Sequence, residues 1–372
     1  MTSHRPRRIA FVVGSFGVGG TEHFLVRMLR HLDRARFAPF VVTLNDAGPL
    51  RDEVRSLAPV YVVRLTGKLF NRRGLGELWR LARWMRRERI DLVHVVIERT
   101  IVYGTFAGRL AGLPVVASQR NTLSTMGRGL TALYFLSLRH LVRHIIPNAD
   151  AIAAWLARQG VRRVPITVVH NGIPSARIRP FVERPPDVRP LTICTVGRLK
   201  ASVKGQHLIF EALARLLGEG LSVRLVLVGS GPDEEMLRRR AAELGVAESV
   251  RWAGYLDDPT GEIIGSDICV LSSYTEGFPN ALVEYLAAGR AVVATNVGGV
   301  REIIRPEDTG LLVPPGDAVA LADALRRLIR DPGLRQRMGA AGRALVEAEF
   351  TADREAERTM DVYERVLERH RR

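Results

Sequence analysis

Thr192-Ile193-Cys194-Thr195-Val196-Gly197-Arg198-Leu199, followed by Lys204-Gly205 and the run Gln206 to Leu217, decides the fold. Thr192–Val196 reads as a buried strand, and the run from Gln206 as an amphipathic helix. Arg198 and Lys204 therefore stand in a strand-to-helix loop, at the carboxyl end of a strand, where open α/β sheets bind ligands. A guanidinium fork beside a mobile ammonium suits a diphosphate. Taken alone, two basic residues in a loop are commonplace.

Downstream, Glu276-Gly277-Phe278-Pro279-Asn280-Ala281-Leu282-Val283-Glu284 sets two carboxylates eight positions apart. Pro279 suits the first position of a helix, where its missing N–H is no loss. Glu276 then precedes the helix and Glu284 lies within it, roughly 7 Å further along the axis. First-turn N–H groups point back toward Glu276 and are open to an oxygen-rich ligand. A sugar joined to a ribose offers hydroxyls at two such points. Two glutamates on a solvated helix face are the plain alternative.

The strand–helix alternation runs from end to end. Strands are expected at 8–13, 40–44, 60–64, 92–96, 115–118, 145–147 and 167–169, then at 192–196, 224–228, 250–252, 268–271, 292–294 and 311–313. Helices are expected at 22–32, 75–87 and 149–159, the last capped by Asn148. Short buried strands separated by helices imply parallel sheets covered on both faces. At 372 residues and 47% apolar content, two domains with two cores are expected. The proline-rich stretch Pro180 to Pro190 breaks both patterns and reads as the linker. The fold class is therefore α/β, two doubly wound Rossmann-like domains facing across a cleft, at residues 1–185 and 186–351.

Composition bounds the setting. Cys194 and Cys269, far apart in sequence and both in expected core strands, read as buried thiols of a reducing compartment, with neither disulfide nor metal-ligand spacing. No stretch approaches the roughly 20 apolar residues of a membrane span, and the run after Arg5-Pro6-Arg7-Arg8 is short for a signal peptide. The expected location is cytoplasmic. Residues 1–190 carry 31 Lys+Arg against 12 Asp+Glu, and residues 191–372 carry 24 against 27, so the whole excess of +16 sits in the first half. An anionic membrane face and plain arginine-rich composition both account for it; nucleic acid is disfavoured, because no binding module or interleaved stacking aromatics appear. Two segments combine apolar and basic residues. Leu75, Leu78, Trp79, Ala82 and Met85 recur at helical spacing beside Arg80, Arg83, Arg86 and Arg87, and Tyr134, Phe135, Leu138 and Leu141 lie among Arg139, His140, Arg143 and His144. Each reads as core cover or as a peripheral membrane rim.

Taken together, the glutamate pair, Arg198 and Lys204 resemble in order and spacing the retaining glycosyltransferases of family 4, of the bacterial polysaccharide and lipid-linked glycan type. The resemblance covers nearly the whole chain and implies the GT-B fold. By it, the first domain binds the acceptor and the second a nucleotide-diphosphate sugar, while the last helix, with residues 352–372, crosses back onto the first domain. Glu284 would hold the ribose hydroxyls and Arg198 with Lys204 the diphosphate. Glu276, with the backbone around Phe278, Pro279 and Asn280, would hold the sugar, and Gly20 of the glycine loop would let a ligand approach closely. A dinucleotide reading of Gly17-Val18-Gly19-Gly20-Thr21-Glu22 is disfavoured by Glu22 in place of the third glycine, though Asp46 near the end of the second strand keeps it open. Phe278-Pro279-Asn280 is reminiscent of members using UDP-linked N-acetylhexosamines.

The acceptor side departs from the family pattern. Many members carry a His-Asp pair after the fifth strand; here Arg120-Asn121 stands in its place. Retaining transfer in this fold is explained without an enzymatic nucleophile, the leaving phosphate itself deprotonating the acceptor. Arg120 would then stabilise the leaving diphosphate, with His94 and Asn121 toward the acceptor. The Arg-Asn variant resembles enzymes that extend lipid-linked oligosaccharides. No cofactor and no catalytic metal are expected, since Arg198, Lys204 and Arg120 supply positive charge. The expectation is thus hexose transfer from a UDP-linked donor to a glycan or lipid-linked saccharide. The alternatives are a GDP-mannose-dependent mannosyltransferase, a GT-B nucleotide-sugar epimerase, and a non-catalytic basic binding protein.

Overall fold

The computed structural model describes residues 5–17, 19–64, 71–122, 126–178 and 190–371. The chain divides into two compact units, Met1–Asn171 with Ala352–Arg372, and Gly172–Thr351. The expected linker at 180–190 lies outside the described residues except for Pro190. The passage between units falls at Asn171–Gly172, ahead of the expected 185/186.

In the first unit, β1 (Arg7–Val13), β2 (Phe37–Thr43), β3 (Val60–Val62), β4 (Leu92–Val96), β5 (Val115–Gln119) and β6 (His144–Pro147) form one sheet in the order β3-β2-β1-β4-β5-β6. All its pairings are parallel. β4 and β5 are buried along their whole length, as strands covered on both faces must be. The helices Gly20–His31 and Ala352–Arg371 pack together, and Tyr363 and Val366 of the second join the core of Phe11, Phe24 and Phe37.

The second unit repeats the plan. β7 (Leu191–Val196), β8 (Val223–Val228), β9 (Val250–Gly254), β10 (Ile268–Leu271), β11 (Ala291–Thr295) and β12 (Leu311–Val313) are parallel in the order β12-β11-β10-β7-β8-β9. Each sheet reverses its strand order once, between β1 and β4 and between β7 and β10. Ligands of open α/β sheets bind in the crevice outside such reversals. The expected two doubly wound α/β units are therefore present.

Several local expectations shift. Pro279 is the N-cap of the helix Asn280–Ala287, one position earlier than expected. Asn148 caps nothing: the helix is Asp150–Arg158, its N-cap is Ala149, and the buried Asn148 Oδ1 has no partner among the described residues. Residues 167–169 make no full strand; they follow β6 in parallel through one bridge, Ile145 to Ile166, and the bond from Thr167 N–H to the Ile145 carbonyl. Cys194 and Cys269, distant in sequence, stand side by side in β7 and β10, and burial pushes the Cys269 thiol well up.

Candidate functional site

Of the loops that leave the carboxyl edge of the second sheet, four approach one another in pairs, and glycines set that approach. A Cβ on Gly229 would lie 1.9 Å from the Gly197 carbonyl oxygen, and one on Gly298 1.8 Å from that of Glu276. Both glycines have positive φ, 135° and 47°, so two demands coincide at each position. The loops after β7 and β8 are thereby pressed together on one side of the strand-order reversal, and those after β10 and β11 on the other.

On this edge, the single turn Ala201–Lys204 ends at Gly205, whose φ of 62° starts the helix Gln206–Gly218. Asp233 accepts from the Ala201 N–H at 2.8 Å, which fixes the turn's first residue. Ser272 donates to the Lys204 carbonyl at 2.9 Å and fixes its last. The Lys204 ammonium then meets Glu276 Oε1 at 2.6 Å, and the Ser273 hydroxyl donates to the same oxygen at 2.6 Å. Ser273 is itself held, because Thr295 donates to its carbonyl at 2.6 Å. The Glu276 side chain is 9% exposed and that of Lys204 28%, so the pair sits in a shallow recess.

Arg198 is exposed, while Gln206 binds its carbonyl at 2.9 Å and orders the backbone below it. Phe278 is buried and packs against Phe350, which leaves its backbone as the part available to a ligand. Asn280 opens the helix that carries Glu284. The Tyr285 hydroxyl accepts from the Val196 N–H at 2.6 Å and ties that helix to β7. Glu284 is half-buried and paired with Arg177 at 3.5 Å. Arg177 stands in the turn Ser175–Arg177, and the sequence carries no signal for it beyond charge. The second unit thus brings together Arg198, Lys204, Glu276, Phe278, Pro279, Asn280 and Glu284 on one edge.

The first unit treats its expected residues differently. Gly20 is exposed as the first residue of its helix, and Asn121 is exposed just past β5. His94, however, is the middle residue of β4 and fully buried. Its Nε2 meets Ser118 Oγ at 2.7 Å and its Nδ1 the Tyr363 hydroxyl, so no ring nitrogen is left for an acceptor. Burial, reinforced by Arg120, pushes its pKa down to about 3. The expectation that His94 contacts an acceptor is corrected by this burial.

Arg120 turns inward as well. Its side chain is 8% exposed, pairs with Glu355 at 3.4 Å, donates to Asn171 and lies 3.5 Å over the Phe24 ring. Arg27 binds the same Glu355 at 2.7 Å. The Arg120 charge thus faces Glu355 of the C-terminal helix, while its Nε has no partner among the described residues.

At the first unit's own strand-order reversal, the sequence reading missed Ile97 and Glu98. Ile97 is held at φ 80°, a costly conformation for a β-branched residue, and caps the helix Glu98–Leu110. With Gly14, Arg99 and Gly127 these residues line a cavity of about 290 Å³. A carboxylate directly after an all-apolar strand end was the signal available.

Two sequence families match the chain: "Glycosyltransferase Family 4" over residues 18–177 and "Glycosyl transferases group 1" over residues 180–345. The GDP-mannose-dependent alpha-mannosyltransferase of Mycobacterium tuberculosis is 31% identical over 361 residues, covering 91% of this chain and 92% of that protein. The glycogen synthase of the same species is 34% identical over 202 residues, 53% of this chain; the match spans about half of that relative, 48%. Among solved structures, HepE of Anabaena in complex with UDP superposes with a TM-score of 0.83 at 20% identity, over 96% of this chain and 99% of that one.

Proposed function

The chain belongs to the family 4 glycosyltransferases, and from that premise we propose that it moves a hexose, with retention, from a UDP-linked donor to a glycan or lipid-linked saccharide. The observation that carries this reading is the Lys204–Glu276–Ser273 cluster beside Arg198 at the β7/β10 reversal. Retention means that the new bond from the anomeric carbon to the acceptor hydroxyl forms on the face from which the diphosphate oxygen departs. The departing diphosphate takes the bonding electrons and the acceptor proton. Arg198 and Lys204 stabilise the charge that develops there.

Before a donor enters, Lys204 is neutralised by Glu276. A diphosphate beside Arg198 competes for that ammonium and frees Glu276 to accept hydroxyl protons of the sugar. Glu284, held by Arg177, orients toward the ribose in the same way. An N-acetylhexosamine fits the Phe278-Pro279-Asn280 sequence, and HepE was solved with UDP. GDP-mannose is the second reading, favoured by the near full-length relative whose name specifies it. Work at an anionic membrane surface is supported by the helix Arg72–Arg87. Leu78, Leu81, Ala82 and Met85 are its core face, yet Leu75 is 47% and Trp79 58% exposed among its arginines. The other candidate is weaker, since Tyr134 and Leu138 are buried. Among the described residues no helix is long and apolar enough to cross a membrane.

Thermal shift against UDP-, GDP-, ADP- and dTDP-sugars, with EDTA throughout, tests the donor. A ligand at about 100 times its Kd stabilises by roughly 2.7 kcal/mol. UDP-sugars are expected to raise Tm, and GDP-mannose acting alone would replace the first reading by the second. Consumption of donor with no acceptor present, followed by NMR, would point to an epimerase instead.

A further inference from the structure

The amino edge of the first sheet, opposite its glycine loop, holds a cavity of about 660 Å³. Its walls are the start of β6 with Arg143 and His144, the adjoining segment with Thr167, and the last turns of the C-terminal helix with Arg365, Arg369 and His370. No carboxylate is among its lining residues. Several arginines elsewhere in this unit are matched, Arg27 with Glu355, Arg30 with Glu53, Arg36 with Glu364 and Arg55 with Asp46, and others among the described residues stand singly without a carboxylate; at this cavity three unmatched ones converge. Among the described residues Arg143, Arg365 and Arg369 have no carboxylate partner.

Cations in the last turns of a helix complement its dipole, which accounts for Arg365 and Arg369. It accounts neither for Arg143, on another element, nor for the cavity between them. Like charges drawn to one recess repel, and an entering anion relieves that repulsion. The field already acts on a buried neighbour. His144 is 6% exposed, its Nε2 lies 2.9 Å from the Thr167 hydroxyl, and burial with Arg365 and Arg369 pushes its pKa down to about 4. The other charged side chains nearby in sequence are Arg139, which donates to the Gln159 carbonyl, Arg162 and Arg163 before the Thr167 segment, and the exposed Asp361 and Glu368 on the helix; Glu364 is taken by Arg36.

We propose that this cavity binds a phosphate-bearing ligand, held by the guanidinium forks of Arg143, Arg365 and Arg369 at a place separate from the donor site. Guanidinium forks recognise phosphate oxygens in pairs, and His370 adds a donor when protonated. The shared chemistry is a multiply charged phosphate, from a soluble compound or from a lipid headgroup.

The test uses the full chain with ¹³C-labelled histidine rings, the His144 resonance being assigned by its loss in His144→Gln. Inorganic pyrophosphate at low ionic strength is expected to shift that resonance saturably, with a Kd of about 1 mM or tighter, and to raise the His144 pKa. Added salt should weaken the response. In Arg365→Gln/Arg369→Gln the affinity should fall at least about tenfold, by roughly 1.4 kcal/mol, with sugar transfer in solution unchanged. Pyrophosphate bound at Arg198 and Lys204 leaves the His144 signal in place, so failure here and failure of the transferase reading are separable. In a second arm, loss of co-sedimentation of the double variant with phosphatidylglycerol vesicles assigns the ligand to a lipid headgroup. Unchanged co-sedimentation with a lost pyrophosphate response assigns it to a soluble phosphate. No His144 shift, or one of equal affinity in the double variant, overturns the proposal.

Discussion

The carboxyl edges of the two sheets share one topology and use their polar residues in opposite ways. In the second unit, Lys204 and Glu276 meet each other in a shallow recess, and Arg198 lies open to solvent. In the first, both His94 ring nitrogens meet Ser118 and Tyr363, and the two terminal nitrogens of Arg120 meet Asn171 and Glu355, while its Nε has no partner among the described residues. A charged residue at the end of a strand is a ligand contact only while its bonding capacity is not consumed within the fold. Burial makes the distinction, because an enclosed charge must be paired by the protein itself.

The largest effect that can break this comparison is on stability. Removing one partner of a buried ion pair costs about 3–5 kcal/mol, so Arg120→Ala or Glu355→Ala should lower Tm sharply, Glu355→Ala the more because it strands Arg27 as well. Replacing all three members, as Arg27→Met/Arg120→Met/Glu355→Leu, should recover much of the loss, since no buried charge is then left unpaired. An Arg120→Ala protein that melts like the wild type yet transfers no sugar would return Arg120 to the catalytic site.

Next in size is the catalytic effect expected on the other edge. Glu276→Ala and Arg198→Ala should lower kcat by about 10²–10³-fold, the cost of removing one preorganised electrostatic contact. Their melting temperatures should fall less than that of Arg120→Ala, since Arg198 is exposed and the Lys204 that Glu276→Ala leaves unpaired is 28% exposed, against 1% for Glu355. A stability loss rivalling that of Arg120→Ala would make the two edges alike and remove the contrast.

The sequence made the sheets legible because strand periodicity and strand-to-helix loops are local signals. Leu92–Val96, Ile268–Leu271 and Leu311–Val313 fall where the pattern puts them. Lys204 and Glu276 were set at one site by the family resemblance, since no local pattern says that β7 and β10 adjoin. The fates of His94 and Arg120 were not legible. Their partners Tyr363 and Glu355 arrive on a helix more than two hundred residues downstream, and no local pattern marks which face of a strand that helix will cover. The cysteines are buried free thiols in core strands as expected, but nothing local marked their adjacency: Cys194 and Cys269 are distant in sequence and paired in register. Asn148 misled because an Asn before a helical run is a cap only if the backbone starts turning at the next residue.

A smaller effect sharpens the donor side. Glu284→Ala removes an acceptor of ribose hydroxyl bonds; hydrogen bonds to a charged group contribute about 1.5–3 kcal/mol. The donor Kd should rise roughly 10- to 100-fold by thermal shift. The Tm of the unliganded protein should barely move, because the bond to Arg177 is 3.5 Å long and partly exposed. Unchanged donor affinity would remove Glu284 from the site.

The smallest effect tests whether His94 is enclosed. Its pKa in the fold is about 3, below the ordinary 6.5, so between those values the unfolded chain binds the extra proton. Stability therefore rises with pH across that window: the contribution is full above 6.5 and is lost as pH falls toward 3. Between pH 7 and pH 5 one such histidine accounts for about 2 kcal/mol. His144, with a pKa of about 4, acts in the same direction with a similar amount. Urea unfolding of the wild type and of His94→Gln at the two pH values isolates the first ring, since His144 and the carboxylates are common to both. The variant should start less stable at pH 7, having lost two buried hydrogen bonds, and should lose about 2 kcal/mol less on going to pH 5. An equal loss in both proteins would mean that the ring takes its proton without leaving the fold. His94 would then be open to solvent, and the first edge would have to be reread as a site like the second.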